Sequence, residues 1–144
     1  MKRKKIIGRR EFIDLPQFGL YHFEAKIDTG AYTSAIHCSH IALVTEANKM
    51  KITFHIPQPD NPQTEEKIFE TKFFKLKNIK NSFGQTEERY VIRTTIRIGK
   101  KRIRAEFSLS DRTEMRYPVL LGRKLLKDRF LIDVSLCHRL SLDE

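Results

Sequence analysis

Residues 25–34 read Ala-Lys-Ile-Asp-Thr-Gly-Ala-Tyr-Thr-Ser. Asp28, Thr29 and Gly30 set a carboxylate, a hydroxyl and a residue without a side chain in succession, directly after a strand-like Ala-Lys-Ile. Peptide hydrolysis without a metal or a covalent intermediate needs a water made nucleophilic and a carbonyl made electrophilic. Two carboxylates sharing one proton do both: the ionised one takes a proton from water, and the protonated one donates to the carbonyl oxygen. Their closeness drives their pKa values apart, because like charges that near cannot both ionise. The proton then belongs to the pair rather than to either residue. Asp28 is the candidate for one member, and Gly30 would let the backbone approach substrate and a second loop. An aspartate alone in such a turn is only a turn residue. The chemistry therefore depends on a second carboxylate.

A metal-based alternative has less to build on. There is no His-Glu-x-x-His sequence, and the nearest cluster is His37, Cys38 and His40 in Ile-His-Cys-Ser-His. On a strand Cys38 and His40 would share a face and offer two ligands, whereas a structural zinc needs four. Cys137 and His138 lie a hundred residues away, at a distance the sequence does not set. The preferred reading makes Cys38 a core residue and His37 a packing or cleft residue beside the catalytic loop, with no metal and no cofactor. No glycine-rich phosphate loop supports nucleotide binding either.

The elements that must position Asp28 are mostly strands. In residues 90–99, Ile92, Thr94, Ile96 and Ile98 fall on one face and Arg93, Thr95 and Arg97 on the other. Ile103, Ala105, Phe107 and Leu109 likewise oppose Arg104, Glu106 and Ser108. Gly99-Lys100-Lys101 joins these two runs as a hairpin. Residues 49–56 and 67–76 are strand-like, rich in β-branched and aromatic residues. The Pro-rich stretch 57–66 and residues 81–88 read as loops. One short helix is expected over 122–130, opened by Gly122. The pattern implies a mainly β, small closed barrel of six or more strands.

The chain has 144 residues, room for one domain with a substantial core. Hydrophobic residues make up 40% and charged ones 32%, as in a globular protein, and no apolar run reaches the length of a membrane span. The start, Met-Lys-Arg-Lys-Lys-Ile-Ile-Gly-Arg-Arg, has a basic opening but no hydrophobic stretch after it. With only Cys38 and Cys137 as cysteines, the expected location is the cytoplasm. Lys plus Arg is 28 against 18 for Asp plus Glu, a net charge of +10. That surplus favours a polyanionic partner, either nucleic acid or an acidic polypeptide. Cations interleaved with aromatics in Lys-Phe-Phe-Lys-Leu-Lys (72–77) could stack bases, with one of Phe73 and Phe74 belonging to the core. A non-catalytic basic barrel that binds RNA or an acidic protein is the alternative reading.

The later stretch Tyr117-Pro-Val-Leu-Leu-Gly-Arg-Lys-Leu-Leu places apolar residues before Gly122 and then a short helix. Asp-Thr-Gly-Ala followed by Leu-Leu-Gly-Arg resembles the retroviral-type aspartic proteases, the retropepsins. That resemblance implies a homodimer, in which the missing carboxylate is Asp28 of a second copy. It also implies that Leu120, Leu121, Gly122 and Arg123 form a strand and helix start supporting the catalytic loop, and that Thr29 braces the loops. Together with residues 81–92, 108–123 and 129–135, the match is closer to a bacterial family often labelled "ATP-dependent zinc protease". That family is related to a peptidase domain associated with RimK-type ATP-grasp ligases. It implies action on glutamate-tailed or otherwise acidic protein substrates and a functional link to such a ligase. Residues 80–88 would be the flap, with Ser82 and Gly84 near its tip. Ala31 and Thr33 would line the cleft, and Arg112 and Arg116 would meet substrate carboxylates. Tyr32 stands where retroviral enzymes carry an aspartate that pairs with the arginine after the second glycine, so Arg123 must find another partner.

Overall fold

The structure is a computed structural model that describes residues 3–57, 67–80, 83–111 and 116–140. Twelve strands lie among them: β1 (Lys5–Ile7), β2 (Arg10–Leu15), β3 (Leu20–Ile27), β4 (Ser34–His37), β5 (Ser39–Glu46), β6 (Lys49–Ile56), β7 (Lys67–Thr71), β8 (Phe74–Lys80), β9 (Thr86–Ile98), β10 (Lys101–Ser110), β11 (Val119–Leu121) and β12 (Phe130–Ile132). The single α-helix among the described residues, α1, is one turn long (Arg123–Leu126). The fold is mainly β, as the alternation implied.

The largest sheet runs β10-β4-β11-β3-β2-β9-β8, and β10 also pairs with β9. Six strands thus follow one another back to the start, and β8 extends the ring outward from β9. The long hairpin β9–β10 is antiparallel and turns at Gly99, whose φ is +58°. Its inner face largely follows the alternation: Ile92, Thr94, Ile96, Ile98, Ile103, Phe107 and Leu109 are buried and Ala105 is partly so, but Ser108, read onto the outer face, is buried as well. A three-stranded sheet β5-β6-β7 contributes Ile52, Phe54, Ile56 and Phe69 to the same core. β1 and β12 pair in parallel as a two-stranded sheet.

Three boundaries differ from the sequence reading. The helix ends at Leu126 rather than near 130, because Lys127 takes an extended backbone (φ −56°, ψ 134°) and Phe130 enters the pairing with Lys5. The strand expected over 67–76 breaks at Lys72 and Phe73. Its halves serve different sheets, β7 beside β6 and β8 beside β9. The loop read over 81–88 is shorter, since Thr86 to Glu88 already pair with Lys80 to Asn78.

The N- and C-terminal parts of the described chain are tied by a buried acid. Glu11 has no exposed surface and accepts backbone N–H groups from Gly8 at 2.7 Å and from Arg139 and Leu140 at 2.9 Å each. Three donors satisfy a carboxylate that burial would otherwise penalise.

Candidate active site

Asp28 follows the last residue of β3. Its position is set by β11, which lies between β3 and β4: Val119, Leu120 and Leu121 pair in parallel with Ala25, Lys26 and Ile27, while Val119 and Leu120 pair antiparallel with Ile36 and Ala35. Residues 28–33 therefore have to cross over the end of β11 to reach β4. Gly122 is at that crossing. A Cβ there would stand 2.7 Å from the Tyr32 carbonyl oxygen, 2.9 Å from that of Ala31 and 2.9 Å from the Thr33 carbonyl carbon. All three are backbone atoms, so only glycine fits.

The crossing loop is held at several points. Asp28 donates its N–H to the Leu121 carbonyl at 2.9 Å. The first N–H groups of a helix have no partner within it, and here those of Arg123 and Lys124 reach back to the carbonyls of Ala31 (2.8 Å) and Tyr32 (3.0 Å). Gly122 donates to the buried Ser34 hydroxyl at 3.0 Å. Arg123 adds two ties: its Nη1 donates to the Thr29 carbonyl at 2.9 Å, and its guanidinium lies over the Tyr32 ring, 5.7 Å from the centroid. Tyr32, in the place of an aspartate, thus meets Arg123 through its aromatic face.

The Asp28 carboxylate is half-buried and accepts the Gly30 N–H at 3.0 Å. A Cβ on Gly30 would sit 3.3 Å from the same oxygen, so the glycine permits the tight approach. No other side-chain hydrogen bond to Asp28 occurs among the described residues, and no described carboxylate of this chain shares one with it. The Thr29 side chain is exposed, Ala31 and Thr33 are half-buried, and all three lie on the loop itself.

The remaining expected site residues are more dispersed. β8 and β9 form a hairpin whose end carries Phe83, 86% exposed, and Gly84 at φ +78°. Ser82 and Arg112 lie outside the described residues. Arg116 is exposed three residues before β11. Leu121 is buried and Leu120 partly so. Ser34 and the Leu121 carbonyl were not singled out in the sequence. A serine opening an otherwise apolar stretch, Ser-Ala-Ile, was the available signal for the first.

The residues near His37 do not fit zinc. Cys38 is wholly buried among apolar residues, and burial pushes its thiol up to about 12, away from the thiolate a metal requires. Ring nitrogen Nδ1 of His37 faces the Ser110 carbonyl at 3.3 Å. His40, at φ +53°, has left the alternation and lies by the ring of His55 at 4.7 Å. Among the described residues no three His, Cys, Asp or Glu side chains gather closely enough to hold an ion.

An Asp-Thr-Gly loop seated on an apolar-apolar-Gly strand, in a ring of six strands, is the arrangement that the retropepsin resemblance implied. Residues 6–139 match the RimB-like family, described as the retropepsin-like aspartic endopeptidase RimB, and the chain belongs to that family. Several curated relatives carry the name "Probable alpha-L-glutamate ligase". One from Parasynechococcus marenigrum is 33% identical over 140 residues, covering 97% of this chain and 30% of its own length. Another, from Desulfotalea psychrophila, is 36% identical over 134 residues, covering 92% of this chain and 29% of its own. The chain thus spans under a third of the length of these relatives. The crystal structure of a Legionella pneumophila protein of unknown function superposes with a TM-score of 0.76 at 24% identity, covering 96% of this chain and 99% of that one. That likeness concerns the fold. Among the described residues no helix is long and apolar enough to cross a membrane.

Proposed function

We propose that the chain is an aspartic endopeptidase that acts as a homodimer, with Asp28 of each copy forming the dyad. The observation that carries this reading is the loop 28–33 fastened over Gly122 by β11 and the start of α1, with a half-buried carboxylate left open to a partner. A catalytic acid must be held still, and this one is fastened through backbone on both sides. In the dimer one Asp28 carboxylate would accept a proton from water while the other, protonated, donates to the scissile carbonyl oxygen. Thr29, whose hydroxyl is exposed, would brace the two loops, and Gly30, Ala31 and Thr33 would line the cleft. The β8–β9 hairpin ends, with Gly84, would close over substrate and exclude water.

For substrate we favour an acidic or glutamate-tailed protein. The net charge of +10 favours such a partner, and Arg116 would offer a guanidinium to its carboxylates. The relatives' names support a link with a glutamate ligase. A hydrolase working beside a ligase of the ATP-grasp type would trim what the ligase adds.

The test is incubation of purified protein with glutamate-tailed and untailed substrates across pH, with Asp28→Asn as control. The substitution is nearly isosteric. Cleavage that the variant loses while remaining folded and dimeric is the expected result. Equal activity in the variant would remove Asp28 from the chemistry. Anion binding that is unchanged by the substitution, with no cleavage by either protein, would favour the non-catalytic barrel.

A further inference from the structure

A cavity of about 410 Å³ is lined by residues of β8, β9 and β10 together with Lys124 and Leu125 of α1 and Arg129 after it. Five cations line it, Lys75, Arg93, Arg104, Lys124 and Arg129, against one acid, Glu106. Glu106 is mostly buried and clamped by three ammonium groups: Lys124 at 2.5 Å, Lys75 at 2.8 Å and Lys77 at 3.2 Å. Arg93 stands opposite Glu106 in the β9–β10 register, and Arg104 lies two residues along β10 on the same face. Arg104 sits over the ring of Phe73, which is 66% exposed. Neither arginine has a carboxylate partner among the described residues.

We propose that this cavity is a second, non-catalytic site that takes a run of carboxylates from an acidic peptide. The proposal rests on the acidic-substrate reading above and gives it a place on each subunit. Glu106 shows that the lysines already enclose a carboxylate, and three lining cations outside that cluster, Arg93, Arg104 and Arg129, face a ligand. The volume lies within the range of about 300–1,000 Å³ usual for ligand clefts. Arginine forks aimed at an open cavity bind carboxylates two-pronged. A nucleic-acid strand is less well served. It stacks successive bases on successive rings, whereas only Phe73 is exposed here and Phe74 packs against the core. The cavity also borders the candidate active site. Ser34 lines it, and the Lys124 backbone holds the Tyr32 carbonyl. An acidic segment gripped here is thereby tethered to the subunit that carries the loop, which raises its effective concentration at the cleft.

The experiment uses the full chain carrying Asp28→Asn, so that nothing is consumed. A dye-labelled hexaglutamate peptide is titrated by fluorescence anisotropy at about 50 mM salt and again at about 200 mM, where screening weakens charge pairing. Arg93→Ser with Arg104→Ser, both exposed, should weaken binding about tenfold or more at the lower salt, the scale of losing one or two charged hydrogen bonds. Thermal melting should be unchanged. Amide NMR shifts on adding peptide should fall at Arg93, Ala105 and Leu125. Unaltered affinity in the double variant, shifts confined to residues 28–34, or an oligouridine that binds the same residues more tightly would each overturn the site. If peptide binds as described but unsubstituted protein cleaves nothing, the hydrolase reading fails and this site stands. If cleavage occurs and the arginine variants bind normally, the reverse holds.

Discussion

Gly122→Ala probes the seating of the proposed catalytic loop most sharply. The added methyl would lie 2.7 Å and 2.9 Å from two carbonyl oxygens and 2.9 Å from a carbonyl carbon. Ordinary carbon–oxygen contact begins at roughly 3.3 Å, so the loop must lift by about half an ångström. No side chain can rotate away, because every contacting atom is backbone. Overpacking of this kind costs about 1–3 kcal/mol. Lifting the loop also stretches the bonds from Arg123 and Lys124 to Ala31 and Tyr32, each worth about 0.5–1.5 kcal/mol. Alanine restricts the unfolded chain more than glycine, which returns about 0.4–1 kcal/mol. The net loss should be about 2–3 kcal/mol, read as a lower urea midpoint with unchanged slope. Cleavage should fall further than stability, because a displacement of about 1 Å at a reacting group costs on the order of a hundredfold. Gly19→Ala is the contrasting case. There φ is +66° and nothing lies within 4 Å, so only backbone strain of about 1–2 kcal/mol applies and cleavage by the folded protein should persist. A Gly122→Ala protein with unaltered midpoint and full activity would refute the seating.

Two further expectations concern buried or partly buried acids. Its three lysines, Lys124 foremost, hold the Glu106 carboxyl down at about 2, against an ordinary 4.5. Since the folded value is depressed, the stabilisation is present above about pH 4.5 and is lost as pH falls towards 2. Solvent screens the half-exposed lysine ends, so about 1–2 kcal/mol is expected. Glu106→Gln should therefore be less stable than the parent at pH 7 and equal to it near pH 2, by urea titration. A gap that does not narrow on acidification would be contrary. Glu11→Ala leaves three N–H donors, two of them buried, without their acceptor and should cost about 2–3 kcal/mol or more, with faster amide exchange at Arg139 and Leu140. Unchanged exchange there would show that Glu11 does not hold that segment.

Much of the sheet could be read directly where one face of a strand is buried, as in β6 and the second half of β9. Period-two alternation over 92–98 marked the inner face and Gly99 the turn, but over 103–109 it missed Ser108, read onto the outer face and buried where β10 pairs with β4. What escaped were features set by distant partners. Nothing local in Lys67 to Leu76 says that its two halves join different sheets, or that Phe130 leaves the helix to pair with Lys5. The same holds at the loop. Asp28, Gly30 and Gly122 were conspicuous as residue types, but the Tyr32–Arg123 contact and the Ser34 hydroxyl beneath Gly122 arise only from the crossing of two segments nearly ninety residues apart. The Glu106 cluster escaped for a related reason: its lysines come from β8 and α1, while the acid is on β10.

Subunit mixing tests the proposed dyad most directly. Parent and Asp28→Asn proteins are combined, allowed to exchange subunits, and assayed on a glutamate-tailed substrate as the variant fraction rises at constant total protein. If each working centre needs Asp28 from both copies, activity follows the square of the parent fraction, about one quarter at equal mixture. A linear decline, with about one half remaining at equal mixture, would mean that each chain works alone and would contradict the shared centre.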